Sequence, residues 1–317
     1  MTQKTVERRD FLKAAGAAAL TAAGVVRTQE SRAQQAVPNS SGTEQARTKA
    51  PAYATDCHIH IYDARFQSAA AALPGATVQD YRLLQKRTGT SRLVIVTPRN
   101  YVVDNAVTVD AIKQFGANAR GVAVIRPTVT DAELKSLNEG GIRGIRFTVS
   151  NPKVAVVSID MMEPLAKRIA DLGWHVQLNM TREQIVENAD LLRRLPTTIV
   201  FDHLGQLKPP AGTEHPAYGV IRGLMDKGRT WVKLSGAYSN TLIGPPTYAD
   251  ATKVAQAYVK AAPERLVWGS DWPHPSEEEH KPNDALLFDL LAAWAPDEAT
   301  RNRILVANPE ALYGFRS

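Results

Sequence analysis

Eight short β-type runs, each followed by a segment of helical period, predict an α/β protein built as a single (β/α)8 TIM barrel. Two further observations point the same way. Several of the runs are almost wholly apolar, as strands buried on both faces of a parallel sheet must be. The first run also ends in His58-Ile59-His60-Ile61-Tyr62-Asp63, where an open doubly wound sheet favours a glycine-rich phosphate turn.

In chain order the expected strands are 55–60, 92–97, 119–125, 142–147, 175–179, 198–203, 231–235 and 265–270. Helical patterns lie between them at 78–86, 107–115, 131–139, 159–172, 183–192, 217–227 and 251–261. Thr130 and Asp131 offer N-caps, while Gly116, Gly140, Gly173 and Gly228 stand where helices should stop. Three closing helices at 285–294, 297–306 and 308–313 complete one barrel domain over residues 53–317.

Ahead of the barrel, Arg8-Arg9 precedes an Ala/Gly-rich stretch at 14–25 and the small-x-small pattern Ser31-Arg32-Ala33. That order predicts a twin-arginine signal peptide over 1–33 and export to the periplasm. The apolar stretch is about a dozen residues where a spanning helix needs roughly twenty. No membrane association is therefore expected once the signal is removed. Residues 34–52, rich in Gln, Ser, Thr and Pro, read as a flexible linker.

A single cysteine, Cys57, excludes an intrachain disulfide. About half of the +6 net charge sits in the first 33 residues, where six Lys/Arg face three Asp/Glu. The other basic residues are scattered without aromatic interleaving, which argues against nucleic acid and fits a small carboxylate partner. The sequence lacks a Gly-x-Ser-x-Gly elbow and a phosphate-cradling loop.

Strand alternation predicts that His58 and His60 face the barrel interior and that Cys57 and Ile59 face the helices, which argues against a thiol nucleophile. Both histidines fall near the C-terminal end of their strand, where barrel enzymes place their sites. The same end collects Arg146, Gln177 or Asn179, His203 and Asp271, with Tyr101, Trp272 and His274 on the rim. Burying one such group unpaired costs a few kcal/mol, so their convergence implies mutual pairing, a ligand or a metal.

These residues resemble the amidohydrolase superfamily: His58-x-His60, His203 and Asp271 match its signature positions on the first, sixth and eighth strands. Val200-Phe201-Asp202-His203-Leu204-Gly205, Trp231-Val232-Lys233-Leu234-Ser235-Gly236, Trp268-Gly269-Ser270-Asp271-Trp272-Pro273-His274 and Asn308-Pro309-Glu310-Ala311-Leu312-Tyr313-Gly314 narrow the likeness to one branch. That branch contains 2-pyrone-4,6-dicarboxylate lactonase, sulfomuconolactone hydrolase, sugar-lactone hydrolases and galactarolactone isomerase.

The resemblance implies a lactone hydrolase that opens the ester ring of a small carboxylated lactone with water. It implies Asp271 as general base, with His58, His60 and His203 polarising the carbonyl and holding the oxyanion. Arg146 is placed to bind a substrate carboxylate. Asn179, Gln177, Tyr101 and His274 complete the expected substrate-binding set. The fifth strand offers Gln177 or Asn179 in place of the usual metal-binding histidine, so no cofactor is required. A zinc ion, were one bound, would sit on His58, His60 and Asp271. Gln206 after the sixth-strand turn and Ala237-Tyr238-Ser239-Asn240 after the seventh suggest few cations, and hence a mono-anionic or neutral lactone. The alternatives are a lactone isomerase or decarboxylase of the same superfamily, or a non-catalytic periplasmic binding protein.

Overall fold

The computed structural model describes residues 35–69, 75–277 and 279–316. The expected signal at 1–33 lies outside them. Eight parallel strands run around one sheet in chain order. They are β1 (Thr55–Ile59), β2 (Arg92–Val96), β3 (Ala119–Ala123), β4 (Ile142–Thr148), β5 (His175–Asn179), β6 (Ile199–Phe201), β7 (Thr230–Leu234) and β8 (Leu266–Trp268). Every expected strand is present. The sixth and eighth are shorter than their apolar pattern because the backbone soon turns to positive φ, 50° at His203 and 67° at Asp271.

The barrel closes where β1 meets the chain leaving β8. Asp271 N–H donates to His58 O and His60 N–H donates to Trp272 O, both at 2.8 Å. The Asp56 carboxylate joins the seam, accepting from Ser270 N–H at 2.9 Å and from the Tyr81 hydroxyl at 3.1 Å. Gly269 makes this approach possible, since a Cβ there would lie 2.7 Å from the Cβ of His58.

Around the sheet lie α1 (Val78–Thr88), α2 (Ala106–Phe115), α3 (Asp131–Glu139) and α4 (Met162–Ile169), then α5 (Arg182–Glu187), α6 (Ala189–Arg194), α7 (Pro216–Met225) and α8 (Ala249–Ala261). Thr77, Thr130 and Thr181 close capping boxes on α1, α3 and α5. The expected helix at 183–192 is broken at Asn188, whose φ of −105° leaves the helical region and whose side chain donates to Gln184 O. The chain ends in α9 (Asp284–Trp294), α10 (Glu298–Asn302) with a wide turn at Arg303–Ala307, and α11 (Asn308–Tyr313).

The lower interior of the barrel is packed mainly with apolar side chains. Val94, Val96, Val122, Val200 and Val267 pack there with Trp231, each valine burial being worth about 1.5–3 kcal/mol. Tyr313 and Phe315 plug this end, held by Arg92 on Glu310 at 2.7 Å and by Arg120 on Gly314 O at 3.0 Å. Most of the buried polar side chains gather at the opposite mouth, while His175 stays below, its ring against Tyr313.

Two expectations are corrected. Cys57 does not face the helices: it packs inside with the valines, because the β1–β2 pairing shifts register between Asp56 and Ile59 and breaks strict alternation. The conclusion drawn from its orientation survives on other grounds. The thiol is fully buried, desolvation holds it protonated, and it does not line the cavity described below. Residues 35–52 are not a free tether. Val37 is buried, Pro38 O accepts from the Trp272 indole, and Arg87 donates to Ser41 O and Gly42 O. Asp289 then accepts from the backbone of Arg47 and Thr48. Among the described residues no helix is long and apolar enough to cross a membrane.

Candidate active site

At the C-terminal mouth a cavity of about 300 Å³ is lined by His60, His203, Asp271, Arg146 and Asn179, five of the residues singled out in the sequence. Asp271 is the hub. Its Oδ1 lies 3.5 Å from His58 Nε2 and 3.6 Å from His60 Nε2, and its Oδ2 lies 3.9 Å from His203 Nε2. Oδ2 also accepts a 2.6 Å hydrogen bond from the Tyr238 hydroxyl, which fixes the carboxylate plane. Positive φ at Asp271, His203 and His274 concentrates backbone strain at this mouth. Gly236 helps to seat His203, because a Cβ there would stand 3.0 Å from the ring.

Burial alone would raise the Asp271 carboxyl, but His203, His58, His60 and the Tyr238 hydroxyl outweigh it and keep the group ionised. The imidazoles shift the other way. Desolvation, helped by the Arg146 charge, lowers His60 to about 4, and desolvation with Lys233 holds His58 well below its ordinary value. Both rings are therefore neutral at pH 7. His60 Nδ1 lies 2.7 Å from Val96 O, which can only accept, so its proton sits there. The Nε2 that faces the cavity is then an acceptor. This corrects the expectation that His60 holds an oxyanion; Arg146 remains as a donor on the cavity wall, and His203 joins it in the tautomer whose Nδ1 accepts from the Ser235 hydroxyl.

Beneath the cavity is a layer that sequence reasoning left out. Asp202, fully buried, accepts from Arg146 Nε at 2.9 Å and from Gln177 Nε2 at 3.2 Å, with His58 Nδ1 also 3.2 Å away. Burial opposes its ionisation, but Arg146 and His58 hold it well below the usual carboxylate range. Lys233, also fully buried, donates to Cys57 O and Gln177 Oε1 at 2.8 Å and stands 3.3 Å from His58 Nδ1. Desolvation brings its ammonium down to about 8.

Three expected substrate-binding residues lie off the cavity. Gln177 is buried in this lower layer, its amide spanning Asp202 and Lys233. The Tyr101 hydroxyl is taken up by the backbone of Asp63, and His274 is buried against Asp284 at 3.1 Å. Arg99, Asn100, Lys208 and Ser276 line the cavity instead. The wall is thus more basic than the loop sequences suggested, and the ground for expecting a mono-anionic or neutral lactone falls away.

His58 Nε2, His60 Nε2 and Asp271 Oδ1 lie 3.3–3.6 Å from one another. Zinc–ligand bonds of about 2.0–2.1 Å in a tetrahedron give edges of about 3.4 Å, so the spacing fits a metal. A metal there would polarise a carbonyl or acidify a water.

Comparison with known proteins agrees with the fold. The family model described as amidohydrolase matches residues 55–315. A 2-pyrone-4,6-dicarboxylate hydrolase of Comamonas testosteroni is 33% identical over 84% of this chain and 91% of its own length. A 4-sulfomuconolactone hydrolase of Rhizobium radiobacter is 33% identical over 83% and 91%. An apo crystal structure from Agrobacterium tumefaciens superposes with a TM-score of 0.79 at 29% identity, covering 88% of this chain and 99% of that one.

Proposed function

The chain belongs to the amidohydrolase family, and from that premise we propose that it hydrolyses a small carboxylated lactone. The observation that carries this reading is an ionised Asp271 on the wall of a cationic cavity, its Oδ2 tied to Tyr238 and its Oδ1 left for a proton. Similarity to two lactone hydrolases supports the same substrate class.

Arg146, with Arg99 and Lys208 at the mouth, binds the substrate carboxylates. Water attacks the ring carbonyl while Asp271 takes its proton. The carbonyl oxygen becomes an oxyanion held by His203 and Arg146. Collapse of the tetrahedral intermediate breaks the ring C–O bond, and Asp271 returns its proton to the departing oxygen. One water is consumed, and the product carries a new carboxylate and a new hydroxyl.

The test is Asp271→Asn, which keeps the shape and removes the base. It should abolish turnover of a carboxylated-lactone panel and leave product binding within a few fold. Turnover in ¹⁸O-water should place label in the new carboxylate of the wild-type product. Unlabelled product would sink hydrolysis in favour of isomerisation or decarboxylation, and undiminished turnover by the variant would remove Asp271 from its role.

A further inference from the structure

The turn that presents Asp271 is strained at both ends. Asp271 takes a φ of 67° and His274 one of 56°, values that are costly for a residue with a Cβ and persist only where the surroundings over-determine them. Part of that support comes from within the barrel. Asp271 N–H donates to His58 O, His60 N–H to Trp272 O and His274 N–H to Asp271 O, each at 2.8 Å. The rest comes from outside it.

The outer support is the segment 37–48, which precedes the family match at 55–315. Pro38 O accepts from the Trp272 indole at 2.8 Å, one residue beyond Asp271. Ser40 Oγ accepts from Asp284 N–H at 3.3 Å, and the Asp284 carboxylate lies 3.1 Å from His274 Nε2. The segment therefore reaches the turn twice, at Trp272 directly and at His274 through Asp284. Its own anchor is remote from the cavity. Arg87, in the last turn of α1 and 3% exposed, donates to Ser40 Oγ at 3.0 Å, Ser41 O at 3.2 Å and Gly42 O at 2.9 Å. The Arg87 carbonyl accepts from Ala46 N–H at 3.1 Å, and Ser41 N–H donates to Pro282 O at 3.0 Å. Asp289 on α9 then accepts from Arg47 N–H and Thr48 N–H at 3.1 and 2.7 Å. Neither Arg87 nor any residue of 37–48 lines the cavity.

We propose that residues 37–48 are a strap that positions Asp271, with Arg87 as its anchor. The strap fixes Trp272 and Asp284, and these two keep the strained turn from relaxing. Arg87 touches neither substrate nor reacting atoms, so it is a positioning residue that acts through the strap. Ordering the strap costs backbone entropy, which its contacts to Arg87, Pro282 and Asp289 offset. Once it loosens, Asp271 and His274 drift toward ordinary φ and the carboxylate leaves its place on the cavity wall.

The kinetic part rests on the lactonase reading; the mechanical part does not. The test is Arg87→Met in the whole protein, read by amide hydrogen exchange and by steady-state kinetics. Exchange should quicken roughly 10-fold at 37–48 and also at 270–277, while β3–β5 stay unchanged. On the lactone panel, 2-pyrone-4,6-dicarboxylate included, kcat should fall roughly 10-fold with KM within about 2-fold, since a displaced base costs turnover more than binding. Ser40→Ala, which keeps the Arg87 charge, should move both readings the same way by a smaller factor, and Arg87→Lys should recover part of the loss. Quicker exchange in the strap alone, with 270–277 unaltered, overturns the proposal. So does a loosened turn with unchanged kcat in an active enzyme, or a rise in exchange spread evenly over the barrel. Should Arg87→Met fail to fold by circular dichroism, Ser40→Ala decides on the same readings. If the unsubstituted protein opens no lactone yet the two segments quicken together, the lactonase reading falls and the strap stands.

Discussion

Replacing Arg146 by Met tests the lower layer and the cavity together. Arg146 Nε is 2.9 Å from Asp202 Oδ2, with the two residues 7% and 0% exposed. Removing one partner of a buried pair strands the other charge and costs about 3–5 kcal/mol. Gln177 Nε2 at 3.2 Å and Lys233 Nζ at 3.8 Å remain beside Asp202, which places the cost near the low end, about 3 kcal/mol. At about 2–4 °C per kcal/mol for a domain of this size, the melting temperature should fall by roughly 6–12 °C. Adding Asp202→Asn removes the stranded charge, so the double variant should be more stable than the sum of the singles by about 2 kcal/mol. The pH dependence has a definite sign. Asp202 is held below its unfolded value, so its contribution is present above about pH 4 and is lost as pH falls through the folded value. The stability gap between wild type and Arg146→Met should therefore narrow on acidification, as the stranded Asp202 of the variant takes up its proton at a higher pH than that of the wild type. KM for a carboxylated lactone should rise roughly 10- to 100-fold, the worth of one charged hydrogen bond. Strict additivity in the unfolding cycle would refute the pairing with Asp202, and an unchanged KM would refute carboxylate binding.

Tyr238→Phe removes the 2.6 Å bond that orients Asp271, and kcat should drop roughly 10- to 100-fold while KM stays near wild type. A rise in KM alone, read in steady-state kinetics, would make the hydroxyl a substrate contact. His58, His60 and His175 are all held below their unfolded value by burial, so between about pH 6.5 and pH 4 the unfolded chain binds more protons than the native one. Urea midpoints should fall steadily from pH 7 to pH 5, and His60→Gln should flatten that slope; a pH-independent midpoint would contradict the neutral rings. We propose export by the twin-arginine route from Arg8-Arg9 and the stretch that follows. Replacing both arginines by lysine should leave the protein in the cytoplasm on fractionation, and unaltered export would argue for another route.

The almost wholly apolar runs, each followed by a helical period, carried the barrel, because a parallel strand buried on both faces has few sequences open to it. Strand ends were less legible where side-chain chemistry overrides pattern, as at His203 and Asp271. Cys57 illustrates a deeper limit. One register shift in β1 reverses which side a residue faces, and that shift is set by the Asp56 carboxylate and the seam with Ser270, partners 214 residues apart in sequence. The site was legible for His58, His60, His203, Arg146, Asn179 and Asp271, since polar groups ending apolar strands have few other uses. Tyr101 and His274 carried the same polar signal but spend it on Asp63 and Asp284, contacts that chain position does not reveal. Lys233 was the missed signal. Alternation through Trp231-Val232-Lys233-Leu234 points a cation inward, and its placement alone marks it as part of the site.

Charge balance ties these observations to substrate choice. Two carboxylates, Asp202 and Asp271, face two cations, Arg146 and Lys233, and the His58 and His60 rings between them are neutral. The floor is therefore close to electroneutral before anything binds, while the mouth adds Arg99 and Lys208. A divalent cation entering this floor raises its charge and meets two fixed cations in a low-dielectric setting, where repulsion is only weakly screened. An anionic lactone instead meets the surplus at the mouth and touches the floor only through Arg146. Asp271 can then stay ionised next to an anionic substrate because Tyr238 and the surrounding imidazoles stabilise it locally, and because the substrate's carboxylates are held at the mouth by other groups. The same separation predicts that neutralising Arg99 or Lys208 weakens binding of anionic lactones and leaves the state of Asp271 untouched, whereas any change at Lys233 or Asp202 reaches the carboxylate through His58.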